Sequence, residues 1–200
     1  MRKLLIAIGA VALTAAVIAG IVQTRGSDRA TGEAPQPLTL AEVSRPLTKA
    51  PPELAALRSR ANELAGGGAQ ALDAQLRRLR GHPVVVNLWA SWCDPCRYEL
   101  PFLQRQALEH GERVAFLGVN SGDNRADALR LSARIPMPYP SFEDPRQTVA
   151  GRYGAAGLPA TAFYDASGKL ELVHQGVFPT EAKLAAAIER YALGGGDEER

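Results

Sequence analysis

The stretch NLWASWCDPCRYELP, Asn87 to Pro101, contains the only two cysteines of this 200-residue chain. Cys93 and Cys96 are separated by two residues and follow PVVVNLWA, a continuous apolar and β-branched run. Such a run is typical of a strand that is buried on both faces of a sheet. The residues from about 93 to 109 are expected to form a helix, so Cys93 would lie at its amino-terminal end. The cysteine pair could serve as a structural staple, as half of a metal site or as a redox centre.

The first two of these alternatives have little support in the sequence. A disulfide across two residues closes a very small loop and removes little conformational entropy from the unfolded chain. A zinc site needs about four ligands, and a C-x-x-C pair is usually joined by a second ligand pair. The three histidines, His82, His110 and His174, lie far apart in the sequence. These patterns favour redox chemistry.

The position of each cysteine predicts its part in that chemistry. At a helix amino terminus the free backbone N–H groups and the helix dipole stabilise a thiolate, which lowers a cysteine pKa from about 8.5 to about 3.5–7.5. We therefore expect Cys93 to be the exposed nucleophile and Cys96 to be the shielded, resolving cysteine. Pro95 suits the first helical turn, where no helical hydrogen bond needs its missing N–H. Asp94 either opposes part of the pKa lowering or is a solvated acid, and Trp92 is expected at the rim. Trp92, Asp94 and Pro95 are expected to contact the substrate.

The amino-terminal residues indicate where this chemistry takes place. Arg2 and Lys3 precede an uncharged run, Leu4 to Val22, that is long enough to cross a ~30 Å hydrocarbon core at ~1.5 Å per residue. An uncleaved anchor helix over residues 1–23 is favoured over a cleaved signal peptide, whose apolar centre is usually about 7–15 residues long. Either assignment puts the remaining chain outside the cytoplasm, where disulfides are allowed. The 23 basic and 21 acidic residues are scattered and form no nucleic-acid surface.

The rest of the chain divides into a flexible linker over residues 24–52, a folded domain over 53–193 and a loose tail over 194–200. The alternation of patterns in the domain predicts an α/β fold, with a central mixed sheet and helices on both faces. Its first two strands are expected to be parallel, and its last two to form an antiparallel hairpin. Residues 135–145 are expected to be a proline-rich crossing. The predicted helices cover 53–65, 69–80, 93–109, 124–134, 146–154 and 180–193, and the predicted strands cover 83–90, 113–120, 160–165 and 169–176.

The segment VVNLWASWCDPCRYELP resembles the thioredoxin superfamily, and in particular its TlpA/ResA-like membrane-anchored thiol–disulfide oxidoreductases. The resemblance covers about Pro83 to Leu193. It includes PYPSFEDPRQTVAGRYGAAGLPATAFYDASGKL, which is similar to the family's extra segment, its cis-proline loop and its final hairpin. It implies a thioredoxin fold with an N-terminal transmembrane helix, a nucleophilic Cys93, a resolving Cys96 and a cis peptide bond before Pro159. Residues 53–82 depart from the β-hairpin lead-in of the family and look helical.

The resemblance also implies roles for Leu158 and Glu99. The backbone of Leu158, next to the cis-proline, would pair with an extended substrate segment. Glu99 completes a Cys-x-x-Cys-x-x-Glu arrangement, in which the acid tunes the cysteine pair in ResA-like proteins. Asn87 stands where cytoplasmic thioredoxins carry an aspartate and cannot accept a proton, so Glu99 is expected to take the proton of Cys96. The alternative is that Glu99 is an exposed helix acid, paired with Arg97 or Arg105.

These features together predict a membrane-tethered, extracytoplasmic thiol–disulfide oxidoreductase that needs no organic cofactor, because the disulfide is itself the redox group. The resemblance implies reduction of protein disulfides, including the haem-site cysteines of apocytochrome c, with electrons from a membrane thiol carrier. One alternative is a disulfide-forming oxidase or isomerase on the same fold. Another is a copper-binding assembly factor, for which His174 is the sole candidate histidine. A peroxiredoxin-like peroxidase would need a peroxidatic cysteine in a different loop, and the sequence has no cysteine there.

Overall fold

The computed structural model describes residues 35–195 of the chain. The predicted anchor or signal helix over 1–23, the first part of the predicted linker and most of the predicted tail lie outside these residues. Within residues 35–195, no helix is both long enough and apolar enough to span a membrane. The helices are α1 (Leu40–Val43), α2 (Pro52–Arg58), α3 (Gly68–Arg78), α4 (Asp94–Glu109), α5 (Arg125–Arg134), α6 (Thr148–Arg152) and α7 (Glu181–Ala187), which continues into a π-helical turn, Ile188–Ala192.

The described strands form one mixed sheet in the order β1-β4-β3-β2-β5-β6. The four strands from β1 to β4 are parallel to one another. Strand β5 pairs antiparallel with β2, and β6 pairs antiparallel with β5, so β5 and β6 form a terminal hairpin. The parallel first pair and the antiparallel final pair of the sequence prediction are thus confirmed. The strands are β1 (Leu64–Ala65), β2 (Val84–Trp89), β3 (Ala115–Ser121), β4 (Ser141–Asp144), β5 (Ala160–Tyr164) and β6 (Leu170–Gln175).

Strand β2 lies at the centre of the sheet, and all six of its residues are buried. Because successive side chains of a strand point to opposite faces, β2 contributes to two separate apolar layers. Val85 and Trp89 pack in the layer that contains α4, whereas Val84 and Val86 pack in the layer on the other face. The apolar run in the sequence is uninterrupted because helices cover both faces of the sheet, which buries the side chains on both sides of β2.

The connection from β2 into α4 fixes the place of the two cysteines. Helix α4 begins immediately after Cys93, and β3 returns parallel to β2 with Val84 opposite Ala115. In an open α/β sheet, loops at the carboxyl ends of parallel strands are the usual place for a functional site. The fold thus brings the C-x-x-C segment to that end of the central strand.

The lead-in to the sheet differs from the sequence prediction. The helix expected over 53–65 ends at Arg58, and the chain then enters the two-residue strand β1, which pairs with β4. Asn62 redirects the chain into β1, because it has a φ of +61° and its side chain donates to Ser132 O at 3.2 Å and accepts from Met137 N at 3.0 Å. The sheet edge is thus a short parallel strand.

The proline-rich crossing over 135–145 also contains regular structure that the sequence did not predict. Residues Ser141–Asp144 form β4, which lies between β1 and β3 and is parallel to both. The prediction of an irregular segment there was wrong for these four residues.

Residues 35–52, which the sequence assigns to a flexible linker, pack against the domain. Helix α1 begins with a capping box between Thr39 and Glu42, and Val43 has no exposed surface. The amide of Gln104 in α4 accepts a hydrogen bond from Leu38 N at 2.9 Å and donates one to Leu38 O at 3.4 Å. This part of the chain therefore belongs to the folded unit.

Candidate active site

Cys93 and Cys96 are joined by a disulfide at the start of α4. Cys93 is the N-cap residue, and its Sγ accepts a hydrogen bond from the backbone N–H of Cys96 at 3.2 Å. In this oxidised form Cys93 is only 3% exposed and Cys96 only 1% exposed. The expected difference in exposure between the two cysteines is therefore absent from the disulfide form. The predicted contrast in reactivity stays a prediction for the dithiol form.

The first turn of α4 presents Asp94 and Pro95 on the surface. Pro95 occupies one of the first two helical positions, where its missing N–H leaves no helical hydrogen bond unmade. Asp94 forms an ion pair with Arg97, and the Arg97 Nη1 also donates to Ser91 O at 2.8 Å. Arg97 thereby ties the first turn of α4 to the loop that precedes Cys93.

Trp92 projects from that loop and is 58% exposed. Its indole Nε1 donates to Gly122 O at 3.0 Å, in the turn that follows β3. Gly122 has a φ of +60°, a backbone conformation that residues with a Cβ atom rarely adopt. The indole is therefore both held by the neighbouring loop and open to a partner. It borders a groove of about 660 Å³ that also involves Asn124, Asp127, Arg130 and Arg134.

Asp123 fixes the loop before Cys93 and was not among the residues predicted from the sequence. Its Oδ2 accepts from Ser91 N at 2.6 Å and Asn120 Nδ2 at 2.8 Å. Its Oδ1 accepts from Ser91 Oγ at 2.8 Å and Asn124 N at 2.9 Å. The available signal was an acid two residues after a buried strand that is parallel to β2, where loops at one sheet end meet.

Pro159 lies at the same end of the sheet, as part of the segment that enters β5. The Leu158–Pro159 peptide bond is cis. Ala160, the next residue, pairs with Leu88 near the end of β2, so the sheet places Pro159 beside the strand that leads to Cys93. Pro159 O accepts from Gly176 N at 2.9 Å. Leu158 is half-buried, and neither its N–H nor its C=O makes a hydrogen bond with another described residue.

Glu99 is buried beneath this end of the sheet, with only 1% of its surface exposed. Its Oε1 accepts from Asn87 Nδ2 at 2.9 Å, and its Oε2 accepts from Phe178 N at 2.9 Å. Burial raises the pKa of Glu99 from 4.5 to about 7, and these two hydrogen bonds oppose part of the rise. The alternative of an exposed acid paired with arginine is wrong, because Arg97 pairs with Asp94 and Arg105 with Glu181.

His174, the histidine considered for a copper site, lies on β6 and stacks on Phe178 with 4.0 Å between ring centroids. Over residues 35–195, the structure contains no group of three or more His, Cys, Asp or Glu side chains that could hold a metal ion. His174 thus packs against Phe178, whose backbone N–H donates to Glu99.

Comparison with known proteins places the sequence in a family. The model of the AhpC/TSA family matches residues 57–173, which is more than half of the chain. The chain belongs to the AhpC/TSA family. This match spans β2, the disulfide, Glu99 and Pro159, and it agrees with the thioredoxin-superfamily resemblance of the C-x-x-C segment.

Similar AhpC/TSA-family relatives include proteins named for thiol–disulfide chemistry. The chain is 40% identical over 109 residues to the thiol:disulfide interchange protein DsbE of Allochromatium vinosum, covering 54% of this chain and 58% of that protein. It is 28% identical over 110 residues to the thiol-disulfide oxidoreductase ResA of Geobacillus thermodenitrificans, covering 54% of this chain and 63% of that protein. The matches therefore span less than two thirds of the length of these relatives.

A solved structure has the same fold. The crystal structure of a protein assigned as thiol:disulfide interchange protein DsbE, from Chlorobium tepidum, superposes with a TM-score of 0.51 and 28% sequence identity. The superposition covers 56% of this chain and 84% of that one. The thioredoxin-like architecture of the sheet and its helices is thus confirmed by an experimentally solved relative.

Proposed function

We propose that this AhpC/TSA-family protein is an extracytoplasmic, membrane-tethered thiol–disulfide oxidoreductase that reduces disulfides in other proteins. The observation that carries the proposal is the Cys93–Cys96 disulfide, which caps α4 at the end of the central strand. A reversible disulfide at a helix amino terminus can carry two electrons without an organic cofactor. The names of the DsbE and ResA relatives support the same chemistry.

The reaction begins with the reduced pair. The Cys93 thiolate attacks one sulfur of the substrate disulfide, forms a mixed disulfide and releases the first substrate thiolate. The Cys96 thiolate then attacks Cys93 Sγ, which breaks the mixed disulfide and releases the second substrate thiolate. The substrate gains two electrons, and the enzyme is left with the Cys93–Cys96 disulfide that the structure contains. The helix amino terminus favours the thiolate of Cys93 in the first step.

Glu99 supplies the proton acceptor for the second step. It lies three residues after Cys96 on α4, one helical turn away, and its side chain is buried. The Cys96 thiol must lose its proton before it can attack, and a carboxylate with a pKa of about 7 can take that proton near neutral pH. Reduction of the oxidised pair by a thiol donor would return the proton to Cys96.

The substrate segment would lie across the surface around the disulfide. The unpaired N–H and C=O of Leu158 offer main-chain hydrogen bonds to an extended chain. The exposed Trp92 indole precedes Cys93, and the surface residues Asp94 and Pro95 lie between the two cysteines, so all three are available to the same segment. Apocytochrome c, with two cysteines in each haem site, is the substrate that we propose, and a membrane thiol carrier is the proposed electron donor.

The proposed tether is the uncharged run from Leu4 to Val22. It would hold the domain on the outer face of the membrane, where a membrane thiol carrier can reach it. Carbonate extraction of the native protein and the mass of the mature chain test this arrangement. We expect the full-length chain in the membrane fraction, and a soluble mature chain that begins near residue 24 would contradict the tether.

The direction of electron flow is tested by the redox state of the cysteines in living cells. Cells are quenched in acid and alkylated with a mass-tagged maleimide, so that each free thiol adds a fixed mass. A reductase is held reduced by its donor, and we expect two tags on most of the wild-type chain. A chain that carries no tags at steady state would instead indicate a disulfide-forming oxidant.

A further inference from the structure

Asn87 has one amide atom in use and the other without a partner. The residue lies in the middle of β2 and is buried. Its Nδ2 donates to Glu99 Oε1 at 2.9 Å and to Thr161 Oγ1 at 3.2 Å. Its Oδ1 is also buried, and it has no hydrogen-bond partner among the described residues. Buried polar atoms without a partner are rare in folded proteins and call for a physical reason.

The contacts of Glu99 match the hydrogen-bonding pattern of its ionised form. Each carboxylate oxygen faces an N–H donor, from Asn87 on one side and from the backbone of Phe178 on the other. An ionised carboxylate accepts hydrogen bonds, whereas a protonated one must also donate through its O–H. A proton on Glu99 Oε1 would compete with the N–H of Asn87 for the space between these two side chains, and an acceptor on Asn87 would suit that proton better than a donor.

We propose that the Asn87 carboxamide rotates by half a turn when Glu99 takes up a proton. In the rotated state Asn87 Oδ1 accepts hydrogen bonds from the Glu99 O–H and from the Thr161 hydroxyl, which can donate as well as accept. The two amide orientations have nearly the same shape, so the neighbouring side chains need not move. One amide atom lacks a partner in either orientation, and the contact with Glu99 therefore decides between them.

This rotation deepens the proposed function and rests on it. If Glu99 takes the proton of Cys96 and later returns it, its neighbour must accommodate both protonation states during each cycle. The carboxamide of Asn87 does so without a charge of its own, because it carries both a donor and an acceptor. Asn87 is thus a positioning residue for Glu99, and it does not touch the substrate.

Other titratable groups also lie near this network. Cys96 is on the same helix as Glu99 and does not titrate while it is in the disulfide. Tyr139, in the segment before β4, is buried, and this burial, together with the charge of Glu99, raises the pKa of its phenol. His174, on β6, stacks on Phe178 and pairs in register with Thr161. Because His174 lies beside this network, the experiment must separate its effect from that of Glu99.

The test follows side-chain NMR signals of the oxidised full-length chain in detergent micelles from pH 5 to 9. The proposal predicts that the Asn87 side-chain NH₂ signals shift along the same curve as the carboxyl carbon of Glu99. It also predicts that the nuclear Overhauser contact between this NH₂ group and the Thr161 methyl group weakens at low pH. Gln104 is the internal control, because its buried NH₂ donates to Leu38 O and Pro136 O, and its signals should stay constant.

Two variants make the result decisive. Glu99→Gln should abolish the pH dependence of the Asn87 signals, and His174→Phe should leave it in place. Constant Asn87 signals while the Glu99 carboxyl titrates, or a shift that persists in Glu99→Gln, would overturn the rotation. The proposed function is judged separately, by whether Glu99→Gln changes the pH dependence of disulfide reduction. The rotation of Asn87 and the proposed function can therefore fail independently.

Discussion

Glu99 is the residue whose chemistry depends most on the folded state. Glu99 lies three residues after the C-x-x-C pair, so its residue type and its spacing were evident from the sequence. The resemblance to ResA-like proteins implied its role. Its burial could not be read in the same way, because the groups that enclose it come from distant parts of the chain. Phe178 N, which binds Glu99 Oε2, is 79 residues away. A helix pattern alone does not show which glutamate such a loop will cover.

Burial of Glu99 predicts a pH-dependent cost to stability. Its folded pKa of about 7 exceeds the ordinary value of 4.5, so the folded state binds more protons between these pH values. The contribution of Glu99 to the free energy of unfolding should therefore be largest below about pH 4.5 and fall by about 3 kcal/mol as the pH rises through 7. Glu99→Gln should remove this fall. Urea unfolding of both oxidised proteins at a series of pH values measures the difference, and parallel curves would show that Glu99 does not titrate in this range.

Asp123 is expected to hold the active-site loop in place. Asp123→Ala leaves the donors of Ser91, Asn120 and Asn124 without their acceptor, so we expect a loss of about 2 kcal/mol in the free energy of unfolding. Because Ser91 lies two residues before Cys93, we also expect thiol–disulfide exchange to slow by about tenfold. Stopped-flow reduction of a disulfide peptide measures the rate.

The matched control is Asp127→Ala, in the same groove. Its carboxylate bonds to Asn124 and Arg130, and among the described residues it makes no hydrogen bond or ion pair with those before Cys93. We expect its exchange rate to equal that of the wild type. An equal loss of rate in both variants would show that the groove, and not the loop before Cys93, controls the reaction.

Among the elements, the central strand and the helix after it were predictable from local sequence, whereas the two short strands β1 and β4 were not. The central strand and α4 were placed within a residue or two, because the apolar run and Pro95 in the first helical turn are strong local signals. Strand β1 has two residues and β4 has four, and prolines surround the latter. These strands exist because they pair with one another and β4 pairs with β3, and such pairing leaves little trace in local sequence.

Helix α1 gives an element-scale test of where the domain begins. Val43 has no exposed surface, whereas Leu40 on the same four-residue helix is 55% exposed. Val43→Ala should lower the free energy of unfolding by about 2 kcal/mol through the cavity that it leaves. Leu40→Ala should change it by less than about 0.5 kcal/mol. Equal effects in urea unfolding would mean that residues 35–52 behave as a linker.

At the scale of the whole domain, the sheet gathers residues that are far apart in the sequence. Strand β5 runs antiparallel to β2, so its beginning lies beside the end of β2, and Pro159 comes next to the segment that carries Cys93. The turn after β6 then supplies Phe178, which binds Glu99. The alternation of strands and helices predicted the sheet, but the order of its strands and the contacts at its end depend on tertiary packing.

The proposed reaction requires that Cys93 attacks the substrate and that Cys96 resolves the mixed disulfide. A single-turnover reaction of the reduced chain with a disulfide-bonded peptide, quenched in acid and analysed by mass, distinguishes these roles. Cys96→Ala should accumulate a stoichiometric mixed disulfide on Cys93, and Cys93→Ala should form none on the same timescale. The wild type should end with the Cys93–Cys96 disulfide and a peptide dithiol. An adduct that accumulates on Cys96 in Cys93→Ala, with none in Cys96→Ala, would show that the roles of the two cysteines are reversed.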